Sequence, residues 1–276
     1  MVPHSWIVEM LRMVKVAGNV EGLVTRSMKN WKTVLSADGK ALGEVDIRRG
    51  IFQGDSLSPL LFIVIMLPLS MLLKKEKKLG YLFGSGGKSV NHLVFMDDIK
   101  LYGKSVKELD ALVELVRMFS RDIGMVFGVD KCAVVGMENG RRVQCEGIRL
   151  PNGEEMKEVD ENGYKYLGVL EGTDIMHKEM KKKVKEEYLR RVKLVARSRL
   201  YAGNLIKGIN AWAVSVVRYS AGVLDWTKDE LKAMDVRTRK LLTMCGVFHM
   251  KSNVDRLYMK RKEGGRGLMS VVECVR

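Results

Sequence analysis

Apolar positions recur every three or four residues in several stretches of the chain, which predicts amphipathic helices. One such pattern begins at Trp6, and another follows Ser105 and Glu108, whose spacing is that of a capping box at the start of a helix. Asp38 and Gly39 predict a tight turn between two strands. Further strands are expected at 44–48, 93–95, 99–102, 125–135 and 164–169.

From residue 175 onward only helical patterns follow. They predict a helix over the basic residues 178–199, a helix that contains Ile206, Ile209, Trp212, Val216 and Val217, and a helix that begins at Thr227 with Glu230. The sequence therefore predicts an α+β fold in two parts. An antiparallel sheet backed by helices occupies 1–174, and an all-α subdomain occupies 175–276. Trp212 and Trp226 are expected in the core of this subdomain rather than as stacking platforms for bases.

The longest apolar stretch covers residues 57–73, LSPLLFIVIMLPLSMLL. Ser58 is the expected N-cap of a helix there, with Pro59 at its first position. A helix that crosses a bilayer needs about 20 apolar residues, and this stretch is shorter and interrupted by Pro68 and Ser70. We therefore expect a buried core helix rather than a membrane span.

Composition excludes a disordered chain, because 46% of the 276 residues are apolar and only 29% are charged. The formal net charge of +15 favours a polyanionic partner. The four cysteines are far apart and form no C-x-x-C pair, and no secretory leader precedes them, so neither a disulfide framework nor a zinc knuckle is expected.

The excess charge is concentrated in residues 177–200, where ten Lys and Arg residues stand against three Glu residues, a net of +7. Such a run is typical of a solvated helix face, and it is equally suited to contacts with the phosphates of a nucleic acid. Met180, Val184, Tyr188 and Leu189 give the same helix an apolar stripe, so both interpretations can hold together.

Two adjacent carboxylates, Asp97 and Asp98, lie between two short apolar strands. They are compatible with an exposed, solvated hairpin turn. They are also compatible with a site for a divalent metal, since hard carboxylate oxygens suit Mg²⁺, which takes its remaining ligands from water and substrate phosphates. Two-metal phosphoryl transfer needs carboxylates from more than one rigid element.

A second segment, residues 49–62, reads RGIFQGDSLSPLLF. Gly50 and Gly54 allow the backbone to approach a ligand closely, and the helix that follows offers free N–H groups to an anion. Taken alone the segment is also compatible with an ordinary loop and helix start. Its combination with the acidic hairpin favours a nucleotide site.

These segments resemble the reverse transcriptase of non-LTR (LINE-type) retrotransposons over nearly the whole chain. The resemblance rests on RGIFQGDSLSPLLF at 49–62, FMDD at 95–98, GMVFGVDK at 124–131 and YLG at 166–168, which occur in the family's order. It implies a palm in 1–174 and a helical thumb in 175–276. It further implies RNA-templated DNA synthesis with an RNA template, a DNA primer, deoxynucleotide triphosphates and Mg²⁺, with Mn²⁺ as the alternative ion.

The resemblance also assigns roles to individual residues. Asp97 would bind both metal ions with Asp98 in support, and Lys131 would donate a proton to the leaving pyrophosphate. The residues expected to contact nucleotide and template are Arg49, Gly50, Gln53, Gly54 and Asp55. The primer grip would be Tyr166, Leu167 and Gly168, and the phosphate contacts of the thumb would be Lys178, Lys181, Lys182 and Lys185.

The sequence departs from the family at its start, where residues 1–6 match only the end of the first palm segment. The family's other metal-binding aspartate, its aromatic gate and its fingers would precede Met1, so an N-terminally truncated chain is expected. The alternative to a polymerase is therefore an inactive nucleic-acid-binding fragment or a decayed remnant. An intracellular location is expected, and no membrane partner is. The choice between nucleus and cytoplasm, the oligomeric state and the role of residues 260–268 remain open.

Overall fold

The computed structural model describes residues 2–82, 84, 87–126 and 128–275. The chain divides into two compact units, Met1–Val159 and Asp160–Arg276. The first unit mixes helices and strands, whereas the second is helical with one short hairpin, so an α+β composition is confirmed. The division falls before this hairpin, and Leu170 and Ile175 pack against the helical core of the second unit, whereas the sequence pattern predicts a boundary after residue 174.

The described part of the first unit has helices α1 (His4–Met13), α2 (Gly18–Lys29), α3 (Ser58–Lys75) and α4 (Val106–Asp122). Helices α1 and α4 both pack against α3. The core at these contacts contains the fully buried side chains of Ile7, Ile65, Leu69, Leu73 and Leu112. The helical spacing of the apolar residues therefore identified the buried faces of α1 and α4.

Strands of the first unit are short, and each pairs with a single neighbour among the described residues. The antiparallel pairs are β1 (Lys32–Ala37) with β2 (Lys40–Asp46), β3 (Tyr81–Leu82) with β4 (Ser89–Val90), β5 (His92–Phe95) with β6 (Asp98–Leu101), and β8 (Gly136–Glu138) with β9 (Arg141–Val143). The remaining pair, β7 (Ala133–Val134) with β10 (Lys157–Glu158), is parallel. A continuous antiparallel sheet is not formed in these residues. Strands β3 to β10 have two to four residues each, and the longer β1 and β2 are exposed along their whole length, so neither kind buries the apolar face that further strands would need.

The strand predicted over 125–135 is wrong for most of its length. A 3₁₀ turn occupies Val129–Lys131, and only Ala133–Val134 is a strand. Val126 is 91% exposed, so the alternating apolar residues of this segment do not mark a buried face. Phe127, which belongs to the predicted motif at 124–131, lies outside the described residues.

Helix α3 is apolar on all sides but buried on one face only. Its exposed face carries Leu60, Ile63, Leu67 and Met71. Within the described ranges α3 is the one helix long and apolar enough to cross a membrane, and 33% of that window is buried. The prediction of a buried core helix is thus confirmed for the face that packs on α1 and α4.

The first turn of α3 differs from the prediction by one residue. Leu57 is the N-cap, Ser58 is the first helical residue and Pro59 the second. The Ser58 hydroxyl is buried without a hydrogen-bond partner among the described residues, so it does not cap the helix. Asp55 instead accepts a hydrogen bond from the backbone N–H of Leu57 at 3.0 Å.

The described part of the second unit begins with the hairpin β11 (Tyr164–Tyr166) and β12 (Val169–Glu171). The helices that follow are α5 (His177–Arg197), α6 (Ala202–Gly208), α7 (Val214–Ser220), α8 (Lys228–Met244), α9 (Val254–Tyr258) and α10 (Val271–Val275). A π-helical segment, Ile209–Ala213, joins α6 to α7. Helix α8 begins after Thr227 as predicted, and Thr227 and Glu230 form a capping box there.

Residues 260–268, for which the sequence suggested no role, form a compact turn against the helices. A side chain at Gly265 would overlap the backbone carbonyl of Met259. The Asn210 side chain donates to the carbonyl of Gly267 at 2.8 Å and accepts from the N–H of Met269 at 2.9 Å. The segment therefore fastens the end of the chain to the π-helical segment.

Candidate nucleic-acid and metal-binding site

The acidic turn is the tip of the β5–β6 hairpin. Phe95 pairs with Asp98, so Met96 and Asp97 are the two central residues of the turn. Met96 has a φ of 54°, a conformation that costs free energy for any residue except glycine. The backbone is thus strained next to Asp97, which is common where a side chain must be presented in one direction.

Asp97 and Asp98 are both exposed, and neither carboxylate forms a hydrogen bond or an ion pair within the described part of the chain. The described residues contain no group of three His, Cys, Asp or Glu side chains that could hold a metal ion. A pair of free carboxylates nevertheless fits Mg²⁺ or Mn²⁺ if water and phosphate oxygens complete the coordination, because Mg²⁺ commonly takes only one or two protein carboxylates. The hairpin therefore offers part of a metal site.

The base of this hairpin is fastened to α3 by a chain of polar contacts. The buried amide of Asn91 donates to the carbonyl of Leu73 at 2.6 Å, which binds the hairpin to the last turn of α3. His92 Nδ1 is 2.6 Å from Asn91 Oδ1, and His92 Nε2 is 2.8 Å from Ser70 Oγ. An amide oxygen only accepts, so Nδ1 carries the hydrogen and Nε2 accepts from the serine hydroxyl.

Burial, and secondarily the charge of Lys74, lowers the pKa of His92 below its ordinary value of 6.5. The neutral ring matches the two hydrogen bonds, since one nitrogen donates and the other accepts. The strand that leads to Asp97 is thereby held at a fixed register against α3.

The glycine-containing segment before α3 is held by the start of the chain. Pro3 and Arg49 form an antiparallel bridge, and the N–H of Gly50 donates to the carbonyl of Val2 at 2.7 Å. The imidazole of His4 lies 3.0 Å from the Gly50 carbonyl. Residues 2–4 thus set the path of the loop whose side chains were predicted to contact nucleotide and template.

Within that loop, Arg49 and Gln53 are exposed, and neither side chain has a partner among the described residues, so both are free for a ligand. Gly50 and Gly54 have φ values of 85° and 93°, which a residue with a side chain adopts only with strain. Asp55 is exposed but engaged at the start of α3, as described above, which gives it a structural contact.

Lys131 lies at the end of the 3₁₀ turn Val129–Lys131 and is exposed. Its backbone N–H donates to the carbonyl of Gly128 at 2.8 Å, which closes the turn. A lysine that acts as a general acid near neutral pH is usually partly buried, and Lys131 is not.

The turn at 166–168 belongs to the second unit and joins β11 to β12. Leu167 and Gly168 have φ values of 45° and 80°, the left-handed conformation of a tight hairpin turn. The hydroxyl of Tyr219, on α7, donates to the carbonyl of Leu167 at 2.5 Å. Leu167, unlike a glycine, adopts this conformation only with strain, and the hydrogen bond from Tyr219 holds it there. Tyr166 is half-buried beside it.

Two of the four lysines predicted to bind phosphate are engaged within the second unit. Lys181 and Lys185 each form an ion pair with Glu230 at 2.9 Å, and both lie near the ring of Trp226, at 5.7 and 5.5 Å from its centre. Partial burial opposes ionisation of Glu230, but the hydrogen bonds from both lysines outweigh it and lower its pKa to about 2. These lysines tie α5 to the start of α8.

The other two lysines, Lys178 and Lys182, are exposed and have no ion-pair partner among the described residues. They lie four residues apart, and therefore on one side of α5. The second unit contains 25 Lys and Arg residues against 14 Asp and Glu residues, a net of +11 out of the chain's +15. Its surface is therefore the more strongly attractive one for a polyanion.

The two tryptophans differ in their surroundings. Trp226 packs against the core of the second unit, as predicted. Trp212 is 42% exposed, so its predicted place in the core is wrong. The π-helical segment is the cause: it adds a residue to the turn, and Ala213 occupies the buried position instead.

A family model for reverse transcriptase (RNA-dependent DNA polymerase) matches residues 1–170. The chain belongs to the reverse transcriptase family. This match covers the acidic hairpin, the glycine-containing loop and the turn at 166–168, which are the segments that carry the resemblance in the sequence.

Curated relatives place this reverse transcriptase with those of non-LTR retrotransposons. It is 28% identical over 176 residues to the Retrovirus-related Pol polyprotein from type-2 retrotransposable element R2DM of Drosophila melanogaster. The aligned region covers 60% of this chain and 16% of that protein. It is 23% identical over 277 residues to the Retrovirus-related Pol polyprotein from type-1 retrotransposable element R2 of Popillia japonica, which covers 97% of this chain and 37% of that protein. The reverse transcriptase chain thus spans well under half the length of these relatives.

Sequence reasoning missed several side chains that position the motifs of this reverse transcriptase. Asn91 and His92 precede an apolar strand, where a buried polar pair is a usable signal, but their partner Ser70 is reached only through tertiary contact. Glu230 was recognised as a helix cap, and its two lysine partners were not. Tyr219 has no signal in the sequence beyond its aromatic ring.

Proposed function

We propose that this chain is the RNA-directed DNA polymerase portion of a retrotransposon protein, with the first unit as palm and the second as thumb. One observation carries the proposal: the tip of the β5–β6 hairpin holds the carboxylates of Asp97 and Asp98 exposed and without partners among the described residues, on a hairpin that Asn91 and His92 fasten to α3. Two adjacent unpaired carboxylates on a rigid support suit a metal ion that also binds triphosphate.

In the proposed reaction the 3′-hydroxyl oxygen of a DNA primer attacks the α-phosphorus of a deoxynucleotide triphosphate, paired to an RNA template. A new O–P bond forms, the bond to pyrophosphate breaks, and the hydroxyl proton is released. Asp97 would hold a Mg²⁺ or Mn²⁺ ion, with Asp98 in support. Such an ion would supply positive charge where negative charge develops in the reaction. Lys131, exposed on its turn, donates a proton to pyrophosphate when substrate covers it.

The remaining residues bind and orient the substrates. Arg49 and Gln53 contact the nucleotide and the template base from a loop whose path is fixed by residues 2–4. Gly50 and Gly54 let this backbone approach the ligand. The Leu167–Gly168 turn guides the primer, and the free lysines Lys178 and Lys182 contact the phosphates of the duplex.

The test is extension of a DNA primer on an RNA template in the presence of Mg²⁺. We expect wild-type chain to extend the primer and Asp97→Asn to reduce the rate by about 100-fold or more, because the amide removes a charge at the reacting phosphate. Asp110→Asn is the matched control, since Asp110 is an exposed aspartate on α4. Equal rates for wild type and Asp97→Asn would contradict the assignment.

A second candidate function is nucleic-acid binding without polymerisation. It is favoured by the absence of a third metal-ligating side chain beside Asp97 in the described ranges of the chain. It predicts that the chain binds an RNA–DNA hybrid and does not extend it. Extension by the wild-type chain that Asp97→Asn abolishes would eliminate this candidate.

A further inference from the structure

The π-helical segment Ile209–Ala213 places an aromatic side chain on the surface of the second unit. Trp212 is 42% exposed, while Ile209, Ala213, Val214 and Val217 on the same continuous helix are fully buried. Exposing a tryptophan forgoes the burial of a large apolar ring, which would otherwise stabilise the fold. Segments of π-helix inside α-helices occur frequently at functional sites.

The exposed ring is held in place by an arginine of α5. The guanidinium of Arg191 lies 5.0 Å from the ring centre of Trp212 and donates to the Trp212 carbonyl at 2.9 Å. Glu187 accepts hydrogen bonds from both Arg190 and Arg191, which fixes the arginine above the ring and lowers the pKa of Glu187 to about 2. One side of the indole is thus covered by a cation, and the rest of its exposed surface is open.

The same face of the helix continues to the turn at 166–168. Ser215 and Tyr219 are exposed, three and seven residues after Trp212, and therefore lie on its side of the helix. Tyr219 is 67% exposed and bonds to Leu167. We call Trp212, Ser215 and Tyr219, with Arg191 beside them, the α7 surface. It extends from the indole to the turn proposed to guide the primer, and it stands within the unit that carries +11 of the chain's charge.

We propose that the α7 surface binds unpaired nucleotides of a nucleic-acid strand, with one base stacked on Trp212. The inference rests on the proposed function and adds a site to it, because neither the motifs nor the basic lysines of α5 include these residues. Phosphate contacts to a duplex require cations and no exposed ring, whereas every base offers a π-face to an aromatic side chain. The Trp212 ring has Arg191 on one side and belongs to a strongly positive unit, so it is suited to stack on a base of a single strand.

The experiment measures dissociation constants of the full chain for a short oligothymidylate, a short oligouridylate and a blunt RNA–DNA hybrid. Trp212→Ala removes the ring and Trp212→Phe retains a stacking face. Met244→Ala is the matched control, since Met244 is 82% exposed at the end of α8 and its loss removes surface apolar area elsewhere. Circular dichroism checks that each variant is folded.

We expect Trp212→Ala to weaken binding of both single strands about 10-fold, within the range for one stacked base, and to leave hybrid binding within about twofold of wild type. Met244→Ala should bind as wild type, and Trp212→Phe should retain most of the affinity. Equal single-strand binding by Trp212→Ala and Met244→Ala would overturn the inference and leave the proposed function intact. A wild-type chain that binds neither single strands nor hybrid would overturn both.

A spectroscopic measurement decides the case if Trp212→Ala does not fold. Stacking of a base on an indole quenches its fluorescence, so oligothymidylate should quench the emission of the wild-type chain more than that of Trp212→Phe. Identical quenching in the two proteins would contradict stacking on Trp212.

Discussion

The protonation state of the His92 ring decides whether both of its nitrogens can form their hydrogen bonds. Its Nδ1 donates to Asn91 and its Nε2 accepts from the hydroxyl of Ser70, which only the neutral ring can do. Burial lowers its pKa below the ordinary 6.5, with a contribution from Lys74. The network therefore favours the uncharged form of His92, which lies on the strand that leads to Asp97.

This lowered pKa predicts a pH dependence of stability. Because the unfolded chain binds the proton more readily than the folded one, the stabilisation is fully present above about pH 6.5 and is lost as pH falls below it. We expect the free energy of unfolding in urea to decrease between about pH 7.5 and pH 5.5, and His92→Gln to lack part of this decrease. His249→Gln, at an exposed histidine, is the control and should keep the wild-type profile. A wild-type profile in His92→Gln would contradict the prediction.

Single residues also show where sequence reasoning succeeds. The hairpin around the acidic pair follows from two short apolar strands, and the structure forms it, with Asp97 in the turn and Asp98 as the first residue of β6. The role of Ser58 could not be predicted correctly, since serine is a good N-cap anywhere and the choice between Leu57 and Ser58 depends on burial of the hydroxyl. Local chemistry identified the elements, and tertiary packing decided the contacts.

Between α5 and α8, Glu230 serves two purposes at once. It completes the capping box with Thr227, and it pairs with Lys181 and Lys185. Its pKa of about 2, against an ordinary 4.5, means that the ionised form stabilises the fold above about pH 4.5 and that this contribution is lost as pH falls toward 2.

Glu230→Gln should therefore lower stability without lowering nucleic-acid binding. The free energy of unfolding at neutral pH should fall by about 1 kcal/mol, because both ion pairs are lost, whereas glutamine can still complete the capping box. Affinity for an RNA–DNA hybrid should not fall, since two lysines lose their competitor. Glu186→Gln makes the same charge change at an exposed position on α5 and should leave stability within about 0.5 kcal/mol. Weaker hybrid binding by Glu230→Gln than by Glu186→Gln would contradict this account.

The turn at 260–268 depends on one glycine more than on its charges. Gly265→Ala places a methyl group against the Met259 carbonyl, so the turn must open and the Asn210 contacts to Gly267 and Met269 are lost. We expect a loss of roughly 2 kcal/mol or more in unfolding free energy. Gly222→Ala is the control, because nothing lies within 4 Å of its added carbon. Equal stabilities of the two variants would show that the turn tolerates a side chain.

At the element scale the sequence predicted helices better than strands. The helices with a one-sided apolar pattern, such as α4 and α5, lie where they were expected. The prediction of a strand at 125–135 was wrong because apolar and small residues alternate around Val126 with no partner strand to bury them. Periodicity describes which face is apolar, and it does not show whether another element covers that face.

For the whole molecule, the distribution of charge predicts how binding responds to salt. The second unit carries most of the net charge, and the free lysines Lys178 and Lys182 lie on one side of α5. Each phosphate contact contributes a slope of roughly 0.9 to the dependence of log affinity on log salt concentration.

We expect the double variant Lys178→Gln/Lys182→Gln to reduce this slope by roughly 1 to 2 for a blunt RNA–DNA hybrid. Lys232→Gln/Lys240→Gln removes the same charge from α8 and is the control, with a smaller change expected. Binding titrations at several salt concentrations provide the measurement. A slope that both double variants reduce equally would show that net charge alone, without a defined contact side, determines the affinity.

The π-helical segment has one further consequence, for how chains of this kind are compared. A π turn holds one residue more than the α turn it replaces, so it is equivalent to a single-residue insertion in the middle of a helix. Residues before Ile209 and after Ala213 therefore follow two different helical registers. In a relative with an unbroken α-helix, the residue aligned with Trp212 without a gap would face the core, and a gap of one position would restore the match.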